Sequence, residues 1–266
     1  MTNHCLSSIG RWGVIWCISI LLTTIRGKGQ TAGDWKLEKM PVDLETDFAL
    51  SSLPPHLREQ ATVYLLDPEK GFYVGRQGSN GFVCFISRTE WEWAEFRQDL
   101  AAPISYDAEG ARTIMPVYLD VAAMRASGKW SPIQIRDTVI QRIKNGYYKA
   151  PSRPGISYME APMMRSYIGN PDKIRVASFS LPHYMYYAPY LTYADIGIDS
   201  NASQPPFLVN PGAVVMGGER KGPFAYLISP LNEADKARIL MAGQSLLRRL
   251  ENYKSYFKVE GGSGHH

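Results

Sequence analysis

The sequence predicts an α+β fold: a single domain from Asp34 to Lys258, an antiparallel sheet of roughly six to eight strands, and helices mainly on one face. Three observations predict it. β-Branched and aromatic runs gather in one block before residue 90 and another after residue 155. Two helical patterns follow each other directly between those blocks, instead of alternating with strands as a parallel α/β fold requires. The composition, 45% hydrophobic and 20% charged, is that of a chain with a packed core.

The first elements are short. Asp34 to Leu53 is amphipathic in patches, and Thr46 or Asp47 is placed to cap a helix over Phe48–Leu53. Pro54-Pro55 stops it, and His56–Gln60 forms one further turn. Ala61–Leu66, Gly71–Gln77 and Gly81–Arg88 are strand runs separated by the turn sequences DPEK and GSN, which predicts an antiparallel three-stranded meander. The third run is apolar on both faces and is therefore expected to be the most central. Thr89–Leu100 has acids in its first turn and apolar residues at Trp91, Phe96 and Leu100, which predicts a helix.

Past Pro103, the pattern predicts a helix from Pro116 to Arg125, closed by Gly128. Ser131 then caps a second helix that has Pro132 at its first position, apolar residues at Ile135, Val139, Ile140 and Ile143, and a stop at Asn145-Gly146. Gly155–Ile168 and Lys173–Pro189 are the next strands, joined by the turn sequence GNPDK. Phe207–Asn210 and Ala213–Gly217 are short strands, and Phe224–Pro230 is the last. Asn232 caps a final helix running to Phe257, with acids first and bases later as the helix dipole favours. Residues 259–266 read as a flexible tail, and His265-His266 are set aside.

The N-terminus reads as a targeting segment. Arg11 precedes the apolar run Trp12–Ile25, and small residues follow at Gly27, Gly29, Ala32 and Gly33, the order of a secretory signal. A retained membrane anchor is the alternative, but the run is short of the ~20 residues of a bilayer span. Met1–Gly29 carries three basic residues and no acid, so the chain without it holds 26 basic against 25 acidic residues. That near-neutral body has no basic footprint for nucleic acid. Removal of the segment would also remove Cys5 and Cys17, leaving Cys84 and no internal disulfide.

The unusual chemistry is concentrated in Leu181–Gly197, which holds His183, Met185 and five tyrosines and ends at Asp195 and Gly197. His183 with Asp195, or with Glu160, is a candidate general base with a carboxylate to fix its tautomer. Ser178, Ser180 or Cys84 are possible nucleophiles, though Cys84 lies in an apolar strand where a thiol is inert filler. The simpler expectation for His183 is a structural hydrogen bond. Tyr184, Tyr186, Tyr190 and Tyr193 offer flat apolar bodies with polar tips, suited to line a groove for a sugar, peptide or aromatic ligand.

Arg88 and Arg112, the latter beside Tyr106, Asp107 and Glu109, are candidate anchors for an acidic group. Met159, Met163, Met164 and Met185 near His183 would suit copper or haem, although methionine more often fills cores. Nucleotide-loop, serine-elbow and zinc-protease motifs are absent, and the two histidines of the body, His56 and His183, are too few for a three-histidine zinc site. Asn201-Ala202-Ser203 matches a glycosylation acceptor.

LPHYMYYAPYLTYADIG, GSNGFVCFISR and SYDAEGARTIMP resemble segments of bacterial exported proteins that carry no assigned activity, over about Leu53 to Leu231. The resemblance implies a bacterial, exported, single-domain protein, and no activity, cofactor or catalytic residue carries over from it. The sequence therefore points to a periplasmic or secreted protein that binds a small molecule or peptide, without nucleic acid and without a membrane once the signal is removed. A hydrolase or lyase using His183, and a copper or haem protein, are the alternatives. No resident cofactor or metal is assigned.

Overall fold

Thr62–Asp67 (β1) and Gly71–Arg76 (β2) form the hairpin their turn sequence demands. Asp67 Oδ1 accepts from Glu69 N at 2.9 Å, and Gly71 takes the left-handed φ of 90° that closes the turn. The computed structural model describes residues 35–168, 175–199, 207–210 and 221–260. The expected signal segment, the GNPDK turn, the Asn201 triplet, Ala213–Gly217 and most of the tail lie outside them.

The expected meander is corrected at its third strand. Val83–Ser87 (β3) pairs with β1 in parallel, on the side away from β2. The loop between β2 and β3 crosses the start of β1, where Ser79 N and Asn80 N both donate to Gln60 O. Gly78 permits that crossing, because a Cβ there would stand 2.2 Å from Gln60 O. The poorly alternating middle run is thus the edge strand, and the run apolar on both faces is interior, as expected.

Ala102–Tyr106 (β4) pairs antiparallel with β3, a strand that the sequence pattern conceals because Pro103 sits in it. Asp107 N donates to Ile156 O and Ala101 N to Arg165 O, so the odd-numbered amides face that side. Position 103 lies between those bonds, where the missing proline N–H removes no ladder bond. The predicted strand Gly155–Ile168 is split at Glu160–Met163 into Ile156–Met159 (β5) and Met164–Ile168 (β6). Lys173–Pro189 is split likewise into Arg175–Phe179 (β7) and His183–Tyr187 (β8). β5 and β8 join the main sheet, while β6 and β7 leave it as a two-stranded sheet. With Phe207–Val209 (β9) and Tyr226–Pro230 (β10), the main sheet has eight strands, ordered β2-β1-β3-β4-β5-β8-β10-β9.

The fold class is α+β, in one domain. Val42–Leu50 (α1) starts earlier than expected, after Pro41 and with no side-chain cap, and Pro55–Arg58 (α2) is a single turn. Ala108–Thr113 (α3), Met115–Ala126 (α4) and Pro132–Lys144 (α5) follow, the last with the Ser131 cap closed reciprocally by Gln134. Tyr193–Ile196 (α6) is one turn. The final helix breaks at Gly243 into Glu233–Ala242 (α7) and Gln244–Tyr253 (α8). α4 and α5 share one face with Phe85, Ile104, Tyr106, Met185 and Tyr187. α1 and α8 take the other, with Val63, Leu65, Cys84 and Ile86. Among the described residues no helix is long and apolar enough to cross a membrane.

The helix expected over Thr89–Leu100 is instead a 3-10 turn at Trp91–Trp93, ended by Ala94 at φ 56°. Two buried arginines gather the carbonyls that a helix would have used. Arg88 Nε donates to Leu100 O at 2.7 Å, and Arg125 Nη1 to Arg88 O at 2.8 Å. Tertiary hydrogen bonds override the local pattern here.

Candidate ligand cleft

Strand alternation divides the tyrosine-rich segment between two faces. His183, Met185 and Tyr187 are buried on the α4 side, while Tyr184 is half-buried and Tyr186 is exposed on the other. His183 is 5% exposed, and its Nδ1 lies 2.7 Å from Leu181 O. A carbonyl only accepts, so Nδ1 carries the proton, and burial lowers the imidazole pKa to keep it neutral. Among the described residues, burial and the Leu181 carbonyl are what perturb this group. Asp195 does not orient His183: its carboxylate caps its own helix, accepting from Thr192 N at 2.9 Å and Thr192 Oγ1 at 2.8 Å. Glu160 does not orient it either, and faces the other way.

Tyr190 and Tyr193 do not extend the row on β8. Tyr190 occupies a turn at φ 62° and is exposed, while the Tyr193 hydroxyl donates to Leu208 O at 3.0 Å. Arg88 is buried with its guanidinium on backbone carbonyls. Arg112 is held by Glu109 at 2.8 Å, and that bond with the Ser152 amide pulls the Glu109 pKa down to about 2. Arg88 is therefore closed to a ligand, while Arg112 is exposed and already paired with Glu109. The cavity beside Arg88 and Arg125 is about 20 Å³, room for a single water.

Asp107 belongs to a closed junction instead of a solvated turn. Its carboxylate accepts from Gly110 N at 2.9 Å, Tyr187 Oη at 2.9 Å and Ile156 N at 3.1 Å. Glycines wall this junction. A Cβ at Gly110 would lie 2.1 Å from Tyr187 Oη, and one at Gly155 2.5 Å from Asp107 Oδ2.

The methionines do not converge. Met159 and Met185 pack in the α4-side core and Met163 in the α1-side core. Cys84 is fully buried, and burial pushes its thiol up to about 12, the inert filler expected of it.

Glu160 is different. The chain turns out of β5 here, and Glu160 N donates to Ser52 O at 2.9 Å. That bond sets the side chain into the wall of a cleft of about 520 Å³ between the end of α1, α2 and the α7–α8 break. Leu50, Pro55, Ile239 and Leu246 give the cleft apolar surface, and Arg58, Arg238 and Arg249 line it too. Arg249 is committed to Asp43 and Asp47 of α1. The α7–α8 break is fixed by contact, since a Cβ on Gly243 would stand 2.6 Å from Pro162 Cβ. Glu160 is 7% exposed, and burial raises its pKa. The Tyr184 hydroxyl and the charges of Arg58, Arg238 and His56 oppose that rise. Tyr184 in turn packs edge-on against Tyr158, with centroids 5.4 Å apart.

Of the residues singled out in the sequence, the structure therefore brings together Glu160 with Tyr184, Arg112 with Glu109 and Asp107 with Tyr187, and of these only Glu160 lines a sizeable cleft. Arg58, Arg238 and the apolar wall carried no local motif. Comparison with protein-family models, curated proteins and solved structures finds no match for this chain.

Proposed function

We propose that this chain is an exported binding protein for a small molecule or short peptide, and that the ligand occupies the Glu160 cleft. The observation that carries the reading is a buried carboxylate opening onto a sizeable cleft with no salt bridge among the described residues. Buried acids without a cation are unfavourable in a folded protein, and they cluster where a ligand completes them. Tyr184 stands beside Glu160 and packs on Tyr158, but no tyrosine of the groove expected from the sequence lines the cleft itself. A His183-centred hydrolase finds no support in a buried imidazole bonded to a backbone carbonyl.

The test is a thermal-shift screen of sugars, free amino acids, short peptides and aromatic acids on wild type and on Ala242→Trp. Ala242 is exposed on the cleft wall, so an indole there fills the cleft from outside. The expected result is at least one compound at about 100 times its Kd that raises the wild-type Tm by several degrees and leaves Ala242→Trp unmoved. A panel without any shift sinks the reading, as does a shift that survives in Ala242→Trp.

A further inference from the structure

The cleft wall carries opposite charges that do not meet. Arg58 donates through Nε to Leu53 O at 2.7 Å and through Nη2 to Ser51 O at 3.4 Å, and it makes no salt bridge among the described residues. Burial lowers its pKa and Glu160 raises it, so the two groups feel each other without touching. Arg238 approaches from α7, paired with Asp235 at 2.8 Å and still largely exposed. Among the described residues Glu160 makes no salt bridge; Tyr184 bonds it, and Arg58, Arg238 and His56 act on it through their charges. A charge of each sign thus faces the same space with its direct ionic partner missing.

This arrangement discriminates among ligand classes. A simple anion would suit Arg58 and Arg238 but place its charge against Glu160. A simple cation would suit Glu160 and be opposed by the arginines. A neutral sugar would hydrogen-bond to both groups through its hydroxyls but bring no opposite charge to either. A molecule with an ammonium at one end and a carboxylate at the other completes both, and Leu50, Pro55, Ile239 and Leu246 supply an apolar surface for its side chains.

We infer that the ligand is a short peptide with both termini free, its ammonium on Glu160 and its carboxylate on Arg58 and Arg238. The inference rests on the reading of the cleft as the ligand site. Tyr184 then acts as a positioning residue, holding the Glu160 carboxylate toward the cleft.

The experiment is isothermal titration of full-length protein with the dipeptide leucyl-leucine, its N-acetyl form and its C-terminal amide. The free dipeptide should bind, and each capped form should bind at least about tenfold more weakly, because a charged partner is left uncompensated in the cleft. In Glu160→Gln, with an unchanged Tm, the free and N-acetylated peptides should bind within about threefold of each other. Capped peptides that bind wild type as tightly as the free dipeptide overturn the inference. So does silence from all three peptides while another compound class shifts the Tm in a manner abolished by Ala242→Trp; the cleft reading then survives and the peptide class fails. Silence from every class defeats both.

Discussion

Strand β8 carries two tyrosines three residues apart, each facing a carboxylate, on opposite faces of the sheet. Tyr187 meets Asp107 in a closed junction where the carboxylate accepts three hydrogen bonds at 2.9–3.1 Å. Tyr184 meets Glu160 in the wall of a cleft, where burial raises the acid's pKa and no salt bridge closes on it among the described residues. The residue types are nearly the same. What differs is how much of the carboxylate's accepting capacity the backbone has already taken. A fully engaged acid is a structural joint, and an under-engaged one facing open space is available to a ligand.

The sharpest way to break that contrast is Asp107→Ala. It removes the α3 cap, strands the Ile156 amide and leaves the Tyr187 hydroxyl with Ile156 O alone, so a loss of about 3 kcal/mol is expected in chemical denaturation. A loss below about 1 kcal/mol would show that the junction is dispensable.

A third carboxylate extends the comparison. Glu45 is buried on α1, accepts from Leu66 N at 2.8 Å, and burial raises its pKa to about 7. A folded pKa above the unfolded value means the contribution is fully present below about pH 4.5 and is lost as pH rises through about 7. Glu45→Gln should therefore flatten this part of the stability profile and gain about 2 kcal/mol over wild type at pH 8. Parallel profiles for the two proteins would exclude Glu45 as the titrating group.

Gly110→Ala probes the packing of the junction. The new methyl would press on the Tyr187 hydroxyl, and a destabilisation of about 2 kcal/mol is expected from urea melts. The smallest effect belongs to the cleft: Tyr184→Phe should change stability by less than about 1 kcal/mol, because Tyr184 is only partly buried. A larger loss would make Tyr184 a structural residue like Tyr187.

These contrasts also mark what local sequence conveys. Ser131-Pro132 and the DPEK turn are self-contained signals, and the structure places a capped helix and a hairpin there. Pro103 hid β4 because its tolerance depends on the absence of a partner strand at that register, which is a tertiary fact. Pro162 marked the exit from the main sheet, but an unbroken run of strand formers on both sides concealed it. Trp91, Phe96 and Leu100 are buried as their apolar character requires, while Arg88 and Arg125 decide their backbone path. Glu160 and Tyr184 were visible as residues. Their cleft was not, because its walls come from α1, α2, α7 and α8, elements up to about 200 residues apart that only folding assembles. Gly243, inside an otherwise helical run, was the one local sign of the break that shapes it.

The central claim is that Tyr184–Glu160 serves a ligand and Tyr187–Asp107 serves the fold. The direct measurement is the Kd of leucyl-leucine for Tyr184→Phe and Tyr187→Phe under conditions where both are folded. Tyr184→Phe is expected to bind about three- to tenfold more weakly at nearly unchanged Tm, and Tyr187→Phe to bind like wild type at a lowered Tm. Wild-type affinity in Tyr184→Phe together with weakened binding in Tyr187→Phe would contradict the account.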